Sequence, residues 1–149
     1  FLSPERMDEI LEEHQFDYVL DCIDSVSPKL ALIKACRRRK IKLVSSMGAG
    51  GKTDPSKVLV RDLSKTNNCY LAKQIRKRLK KEGITKGFRC VFSTEIQKEE
   101  SLKLTDGSNF KKSFYGTISF MPALFGLNAA AEVINYLLKE SNKKNQEQN

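Results

Sequence analysis

The sequence predicts an α/β fold built around a parallel strand-helix-strand unit, and three observations support this prediction. Residues 16–23 form a short apolar run centred on Val19, which is typical of a buried strand. A helical pattern follows at residues 25–39, and a second apolar run covers residues 41–46. Two strands joined by a helix of this length form a parallel crossover. The chain has 149 residues, of which 40% are hydrophobic and 30% charged, so one folded domain with a buried core is expected.

The first two helices carry start signals in the sequence. A helix is predicted from Ser3 to residue 13, because a Ser side chain caps free backbone amides and Pro4 suits the first helical turn. The second helix begins with a similar signal at residues 25–28, and its apolar inner face includes Leu30 and Cys36. The two apolar runs thus alternate with two helices.

The elements after the second apolar run can be assigned from local patterns. They are a glycine-containing loop at residues 48–51, a strand at 58–62, a helix at 68–82, a strand at 88–93, and a loop or poorly ordered insertion at 96–113. The helix has one apolar and one basic face, and Gly83 is expected to end it.

A last helix is predicted from Pro122 to about Lys139. Its polar residues form one narrow stripe, so we expect protein to cover most of the helix, either as core or as a subunit interface. The same polar residues interrupt the apolar stretch and make a stable membrane span improbable. Residues 141–149 are polar and are predicted to be a flexible tail, which divides the chain into a domain at 1–140 and a tail at 141–149.

The net charge of +9 arises in the middle of the chain. Residues 1–28 carry eight acids and one base, residues 29–90 carry 19 bases and three acids, and the charges of residues 91–149 cancel. Clustered cations favour a polyanionic partner, because they release condensed counterions from phosphates. The alternative is an ordinary solvated surface.

The cysteines and the amino-terminal residues bear on the compartment. The four cysteines contain no C-x-x-C pair, and no secretory leader is visible at residues 1–13. We therefore expect reduced thiols in an intracellular compartment, and neither a zinc site nor a disulfide framework.

Residues 46–53, Ser-Met-Gly-Ala-Gly-Gly-Lys-Thr, end like a phosphate-binding P-loop. The first glycine of that motif is Ser46 here, and Asp54 with Pro55 leads into a strand pattern where the motif needs a helix. We therefore favour a loop that permits close backbone approach to another element or to a ligand.

Two carboxylates, Asp21 and Asp24, lie at the carboxyl end of the first predicted strand, where open α/β sheets bind ligands. A carboxylate there can hold Mg²⁺ and organise a nucleoside triphosphate. The alternative is a helix cap or a partner for nearby lysines.

Two basic clusters are candidates for phosphate contact. One ends the second helix, where the helix dipole also explains arginine, and the other lines a face of the helix at 68–82. The residues are Arg37, Arg38 and Arg39 in the first cluster and Lys73, Arg76, Lys77 and Lys80 in the second.

An ordered series of segments within residues 1–138 resembles a known family. The segments are Asp-Tyr-Val-Leu-Asp-Cys-Ile-Asp-Ser-Val at 17–26, Pro-Lys at 28–29, Ala-Cys-Arg-Arg at 35–38, Gly-Ala-Gly-Gly at 48–51, Asp-Pro at 54–55, Asp-Leu-Ser-Lys-Thr at 62–66 and Cys-Val-Phe-Ser-Thr-Glu at 90–95. They resemble the tRNA threonylcarbamoyladenosine dehydratase branch of the ThiF/MoeB-like, ubiquitin-activating-enzyme-like superfamily. The Asp-x-x-Asp strand end is shared by the superfamily, whereas the glycine segment and the Cys-Val-Phe-Ser-Thr-Glu segment point to the dehydratases.

The resemblance implies a Rossmann-like, ThiF/MoeB-type mixed sheet flanked by helices. It also implies an ATP-dependent enzyme that adenylates and cyclises threonylcarbamoyladenosine in tRNA. Asp24 would be catalytic and serve Mg²⁺ bound to ATP, Ser25 would lie beside the nucleotide, and Gly48, Gly50 and Gly51 would lie near the adenylate. The implied cofactors are ATP and Mg²⁺, and the implied partners are tRNA and a second copy of the chain. The expected location is the cytoplasm, with mitochondrial association in a eukaryote.

Family members begin with a strand, a glycine-rich turn and a helix that bind ATP, and none of these precedes Phe1. We therefore expect the chain to be the carboxyl-terminal part of a ThiF-type adenylating domain, without the nucleotide-binding half and inactive alone. Two alternatives remain open. One is an enzyme that activates a ubiquitin-like or sulfur-carrier protein, and the other is a non-catalytic basic module that binds tRNA.

Overall fold

A computed structural model describes residues 3–97, 102–104 and 113–147, which form a four-stranded mixed sheet with helices on both faces and a separate two-stranded sheet. The helices are α1 (Pro4–Glu13), α2 (Val26–Arg38), α3 (Tyr70–Lys80) and α4 (Phe120–Glu147). The strands are β1 (Tyr18–Asp21), β2 (Lys42–Ser46), β3 (Val58–Asp62), β4 (Arg89–Ser93), β5 (Leu102–Leu104) and β6 (Ser113–Tyr115). The predicted α/β class is confirmed.

The main sheet has the strand order β1-β2-β4-β3. Strands β1, β2 and β4 run parallel, with Val19 opposite Leu43 and Ser45 opposite Cys90. Strand β3 pairs antiparallel with β4 at the edge of the sheet. The crossover β1-α2-β2 is the parallel unit predicted from the sequence, and the antiparallel edge strand makes the sheet mixed.

Alternate residues of the central strands pack into two cores on opposite faces of the sheet. Leu43, Cys90 and Phe92 pack with buried residues of α1, α2 and α3, whereas Val44 and Val91 pack with α4. Because β2 and β4 are buried on both faces, consecutive residues at their centres are apolar, Leu43-Val44 in β2 and Cys90-Val91-Phe92 in β4.

The helix signals in the sequence correspond to observed helix ends. The Ser3 hydroxyl accepts a hydrogen bond of 3.2 Å from the backbone N–H of Arg6, as predicted for a capping residue. Ser25 occupies the N-cap position of α2 but makes no capping bond with its side chain. After α3, Gly83 adopts a φ of +76°, a left-handed conformation that glycine tolerates without a side-chain clash.

The segment at 96–113 was predicted to be a loop or a poorly ordered insertion, but its described residues include strand β5 and the first residue of β6. Strands β5 and β6 pair antiparallel, with Lys103 opposite Phe114. Three-residue strands are too short to produce a readable alternation of apolar and polar residues, which is why the sequence pattern missed them. Residues 98–101 and 105–112 of the predicted insertion lie outside the described residues.

Helix α4 is longer than predicted at both ends. It begins at Phe120, so Pro122 lies within the first turn, where its missing N–H has no intrahelical partner to lose. It continues to Glu147, and a Lys143–Glu140 ion pair of 3.0 Å lies in its last turns. The boundary predicted at 140/141 therefore does not coincide with the end of the helix.

One apolar stripe of α4 packs on the sheet, and a second does not. Met121, Phe125, Ala129 and Val133 are buried against β2 and β4, whereas Leu127 and other large apolar residues of α4 remain exposed within the chain. By length and composition alone α4 could cross a membrane, a criterion that core helices of globular proteins also meet. The sequence predicted that protein covers most of α4, but within the chain only one stripe of the helix is covered.

Candidate functional site

The carboxyl ends of three parallel strands meet at one edge of the sheet. Residues 22–25 follow β1, residues 47–54 follow β2, and residues 94–97 follow β4. Parallel α/β sheets bind ligands outside this edge, because the loops there are free to carry polar side chains and backbone amides. All five residues predicted to bind the cofactor belong to the first two loops.

Asp24 and Ser25 form a polar pair in the loop after β1. Asp24 is exposed, and the Ser25 hydroxyl donates a hydrogen bond of 3.2 Å to Asp24 Oδ1. Ser25 also occupies the N-cap position of α2. An exposed carboxylate at this edge suits the predicted role of holding Mg²⁺ through oxygen ligands.

Asp21 lies three residues earlier and has a different environment. Its side chain is fully buried, as is that of Lys29 on the first turn of α2, and Lys29 Nζ lies 2.7 Å from Asp21 Oδ2. Ser45 Oγ donates a bond of 2.6 Å to the same oxygen. The structure therefore supports the interpretation of Asp21 as the partner of a nearby lysine.

The three glycines of the loop after β2 have different conformational requirements. Gly51 has a φ of +67°, and its N–H donates a bond of 2.8 Å to the carbonyl of Gly116, just before α4. The carbonyl of Gly50 accepts a bond of 2.6 Å from Gln97 Nε2. A Cβ on Gly48 would meet only Leu71 Cβ at 3.8 Å, an ordinary contact. Only Gly51 therefore has a backbone conformation that disfavours other residues.

The Lys52 side chain ties the end of the glycine loop to two other segments of the chain. Its side chain is buried, and Nζ donates to the backbone carbonyls of Asn68 and Glu95. Burial lowers the pKa of this lysine, because the charged form is desolvated. The loop runs into a 3-10 turn at Pro55–Lys57 and then β3, so the P-loop alternative, which needs a following α-helix, is wrong.

Glu95, after β4, holds the other end of the same loop. Its carboxylate accepts bonds from the backbone N–H groups of Thr53 and Asp54 at 2.8 and 2.9 Å, and from Thr53 Oγ1 at 3.0 Å. Burial opposes the charged form, but these bonds together keep the pKa of Glu95 below its usual value. Sequence reasoning assigned no role to Glu95, since its partners lie 41 and 42 residues away.

Seven basic residues were predicted to contact phosphates, and four of them form ion pairs or hydrogen bonds within the chain. Arg38 and Arg39 pair with acids of α1. Arg37 Nη1 donates to the carbonyl of Gly87 at 3.1 Å, and Arg76 donates to the carbonyl of Thr66 at 2.8 Å. The other three, Lys73, Lys77 and Lys80, are exposed on α3 and form no ion pair with the described part of the chain. The two predicted basic clusters therefore differ: acids of α1 compensate most of the cluster at the end of α2, whereas the lysines of α3 have no acidic partner among the described residues.

The mixed sheet, with a carboxylate loop and a glycine loop at its carboxyl edge, defines an open-sheet α/β protein. Comparison with known sequences identifies the family: the ThiF family model matches residues 1–149, and the chain belongs to the ThiF family.

Named relatives are enzymes that modify tRNA. The tRNA threonylcarbamoyladenosine dehydratase of Bacillus subtilis is 37% identical over 135 residues, which cover 86% of this chain and 53% of the relative. The crystal structure of E. coli tRNA N6-threonylcarbamoyladenosine dehydratase, TcdA, in complex with ATP matches with a TM-score of 0.80 and 35% identity, covering 96% of this chain and 56% of that one. The AMP complex of TcdA matches with the same TM-score. The chain thus spans about half the length of these proteins.

Proposed function

We propose that the chain is part of an ATP-dependent enzyme that dehydrates threonylcarbamoyladenosine in tRNA to a cyclic form. The observation that carries the proposal is the exposed Asp24 with its Ser25 partner at the carboxyl edge, beside the glycine loop. Support comes from relatives that carry this dehydratase name and from similar structures solved with ATP and with AMP.

The residues at the edge fit a nucleotide and a magnesium ion. Mg²⁺ is usually bound through one or two carboxylates together with phosphate oxygens, and Asp24 is a carboxylate exposed at the required edge. Glycine has no side chain, so a ligand can approach this loop closely, although the Gly51 N–H and the Gly50 carbonyl already bond within the chain. Asp24, Ser25, Gly48, Gly50 and Gly51 are therefore the residues proposed to hold Mg²⁺ and ATP.

The proposed reaction needs an activated carboxylate. ATP, when bound, would supply the adenylyl group: the threonyl carboxylate would take it from ATP with release of pyrophosphate, and the neighbouring carbamoyl group would then lose a proton, close on the activated carbonyl carbon and expel AMP. In this scheme the carboxylate of Asp24 holds the cation that neutralises phosphate charge. The Ser25 hydroxyl orients Asp24 through their 3.2 Å bond.

The exposed face of α3 is proposed to contact the RNA. Tyr70, Lys73, Lys77 and Lys80 recur at helical spacing on this face, and the Tyr70 side chain is 65% exposed. Lysines spaced in this way suit successive phosphates, and an exposed aromatic ring can stack on an unpaired base. Arg38 and Arg39 are already paired with acids, so α3 offers the stronger positive surface.

A second copy of the chain is proposed to cover the free stripe of α4. Six apolar residues at spacings of three or four form this stripe; five of them are exposed within the chain, and Leu124 is half-buried. They are Phe120, Leu124, Leu127, Ala131, Ile134 and Leu138. The stripe spans about 27 Å of helix, and two copies of it can pack antiparallel about a two-fold axis.

The test is ATP-dependent cyclisation of threonylcarbamoyl-tRNA by the full-length protein, because the chain spans about half the length of the relatives that carry the dehydratase name. An Asp24→Asn variant should lose at least 100-fold in rate while still folding, because it removes the proposed cation ligand. The matched control is Asp17→Asn, an equal change at an exposed carboxylate near the other end of β1.

Three results would contradict the proposal. Asp24→Asn could be as fast as wild type, which would remove Asp24 from the site. ATP-pyrophosphate exchange could depend on an added ubiquitin-like protein and not on tRNA. The protein could also bind tRNA with no requirement for nucleotide and no turnover, as a non-catalytic module would.

A further inference from the structure

Lys29 is a fully buried ammonium group at the carboxyl edge of the sheet. Its Nζ donates to Asp21 Oδ2 at 2.7 Å, to Ser45 Oγ at 3.0 Å and to the Ser46 carbonyl at 2.9 Å. An ammonium group has three donors, and all three are used. Lys29 therefore has no proton left for a phosphate, which separates its role from that of a ligand-binding lysine.

The same network reaches the loop that carries Asp24. Asp21 Oδ2 accepts from both Lys29 and Ser45, and Asp21 Oδ1 accepts a bond of 2.9 Å from the backbone N–H of Ile23. Ile23 immediately precedes Asp24. The buried carboxylate thus shapes the turn that presents Asp24 at the edge of the sheet.

The network also reaches the glycine loop. Ser46 is the last residue of β2, and its carbonyl is fixed by Lys29, while the N–H of the next residue, Met47, donates to the carbonyl of Val91 at 2.8 Å. Lys29 lies on the first turn of α2, with its own N–H bonded to the Ser25 carbonyl at 3.2 Å. One side chain therefore links the helix start, the turn after β1 and the beginning of the glycine loop.

Stability alone does not explain why Lys29 and Asp21 are buried as a charged pair. Removing both ions from water costs free energy that their attraction and hydrogen bonds only partly recover, and apolar pairs often stabilise a core equally well. A buried ion pair does fix geometry, because each oxygen and each proton has one partner in one place.

We propose that Lys29 is a positioning residue that holds Asp24 with Ser25 and the glycine loop in the relative arrangement needed to bind nucleotide. It acts through Asp21 and through the Ser46 carbonyl and touches no ligand itself. The proposal names a new role within the site of the proposed function and rests on that function for the identity of the ligand.

The test replaces the ion pair by a neutral pair of similar shape, Lys29→Met with Asp21→Asn, in the full-length protein. Asn leaves an oxygen for Ile23, and removal of both charges avoids an isolated buried carboxylate, so the variant should fold. The matched control is Lys34→Met with Glu82→Gln, which removes the exposed ion pair of 3.2 Å between α2 and the turn that follows α3.

Two readouts are measured: amide hydrogen exchange and AMP affinity. We expect the Ile23 and Met47 amides of the neutral-pair variant to exchange at least 10-fold faster than in wild type, while the Ile75 and Leu79 amides of α3 do not change. The dissociation constant for AMP should rise at least 10-fold. The control should leave all of these values within twofold of wild type.

The outcomes separate positioning from general stability and from the proposed function. A uniform acceleration that includes α3 would show a purely structural role and overturn the proposal, as would unchanged exchange at Ile23 and Met47 with unchanged AMP affinity. Local acceleration in a protein whose wild type binds neither AMP nor ATP would leave the positioning role standing and refute the proposed function.

A milder variant decides the matter if the neutral pair does not fold. Ser45→Ala removes one acceptor of Lys29 and keeps the ion pair. It should accelerate exchange a few-fold at the Ile23 and Met47 amides only. An acceleration spread evenly over the chain would overturn the proposal.

Discussion

Arg38 at the end of α2 pairs with Asp8 of α1, with its Nη2 lying 2.9 Å from each carboxylate oxygen. Arg39 adds bonds to the same carboxylate and to Glu12. The acid-rich start of the chain thus compensates the cations at the end of α2. The positive charge that remains available to a polyanion is concentrated on α3, where the described residues provide no acid within ion-pair distance of Lys73 or Lys77.

The first prediction concerns RNA binding by this face of α3. Lys73→Glu with Lys77→Glu should weaken binding of tRNA by at least 10-fold at 0.1 M salt, because each lost phosphate contact removes released counterions. The slope of log K against log salt should fall by about 0.7 to 0.9 per contact. Filter binding across a salt series measures both values.

The control for RNA binding carries the same change of charge on another part of the molecule. Lys143→Glu with Lys144→Glu lies near the end of α4 and should leave the affinity within about threefold of wild type. Equal losses in the two variants would mean that net charge matters and the face of α3 does not. Tyr70→Ala alone should cost about 1 to 3 kcal/mol if the ring stacks on a base.

The sequence predicted those parts of the fold that depend on local periodicity. The strand at residues 58–62 was placed at its observed bounds, and α1 and α2 began at the residues whose capping signals marked them. Asp24 was predicted at the carboxyl edge because a strand followed by a helix fixes that direction. Strands β5 and β6 escaped prediction, since three residues carry too little pattern.

Contacts between distant segments could not be predicted from the sequence. Lys29 meets Ser45 over 16 residues, Arg38 meets Asp8 over 30, and Glu95 meets Thr53 over 42. A charge or hydroxyl in the sequence does not reveal which partner the fold brings to it. For this reason the sequence predicted that the arginine cluster at the end of α2 contacts RNA, although acids of α1 compensate much of its charge.

The second prediction concerns the pH dependence of the Glu95 contacts. Glu95→Gln should lower the free energy of unfolding by roughly 1 kcal/mol at pH 7, because a charged acceptor for two backbone N–H groups is lost. The pKa of Glu95 is lowered in the folded state from 4.5, so its contribution is present above pH 4.5 and is lost as pH falls through the lowered value. Urea unfolding at several pH values measures the difference between wild type and variant.

A companion variant checks that this pH dependence comes from the carboxylate. Thr53→Ala removes the bond from Thr53 Oγ1 and keeps both backbone bonds to Glu95. It should be less stable than wild type, yet its stability should still fall as the carboxylate is protonated. A Glu95→Gln variant with the same acid sensitivity as wild type would contradict the assignment.

The third prediction compares two glycines of the same loop. Gly51→Ala should destabilise the protein by about 1 to 2 kcal/mol, because a Cβ is strained at a φ of +67°. Gly48→Ala should be close to neutral, since its Cβ would make an ordinary contact with Leu71. Thermal or urea unfolding distinguishes the two, and equal effects would mean that the conformation of Gly51 is not needed for folding.

The fourth prediction concerns thiol reactivity. Cys22 is exposed, whereas Cys36, Cys69 and Cys90 are buried. Burial raises the pKa of Cys36 to about 11 and that of Cys90 well above its usual range, so few thiolates form at either position. Titration of the native 149-residue chain with a disulfide reagent at pH 8 should show one fast thiol, and Cys22→Ser should abolish that phase. Rapid reaction of the variant would contradict the burial of the other three thiols.

The fifth prediction concerns the free apolar stripe of α4. Leu127 and Ile134 are 69% and 56% exposed within the chain, and burial of each in a dimer should contribute about 1.5 to 3 kcal/mol. Leu127→Lys with Ile134→Lys should therefore weaken self-association of the full-length protein by at least 100-fold. Light scattering coupled to size exclusion measures the mass, and circular dichroism checks that the variant stays folded.

The control for the stripe places the same charges elsewhere on the same helix. Asn128→Lys with Gln146→Lys changes two polar positions of α4 that lie between its buried stripe and its free apolar stripe, and it should leave the dimer intact. A monomeric wild-type protein would refute the dimer, and a wild-type dimer that survives the Leu127 and Ile134 changes would place the interface elsewhere. Flotation of wild type, but not of the stripe variant, with lipid vesicles would instead assign the stripe to a membrane, because two added lysines oppose its burial in hydrocarbon.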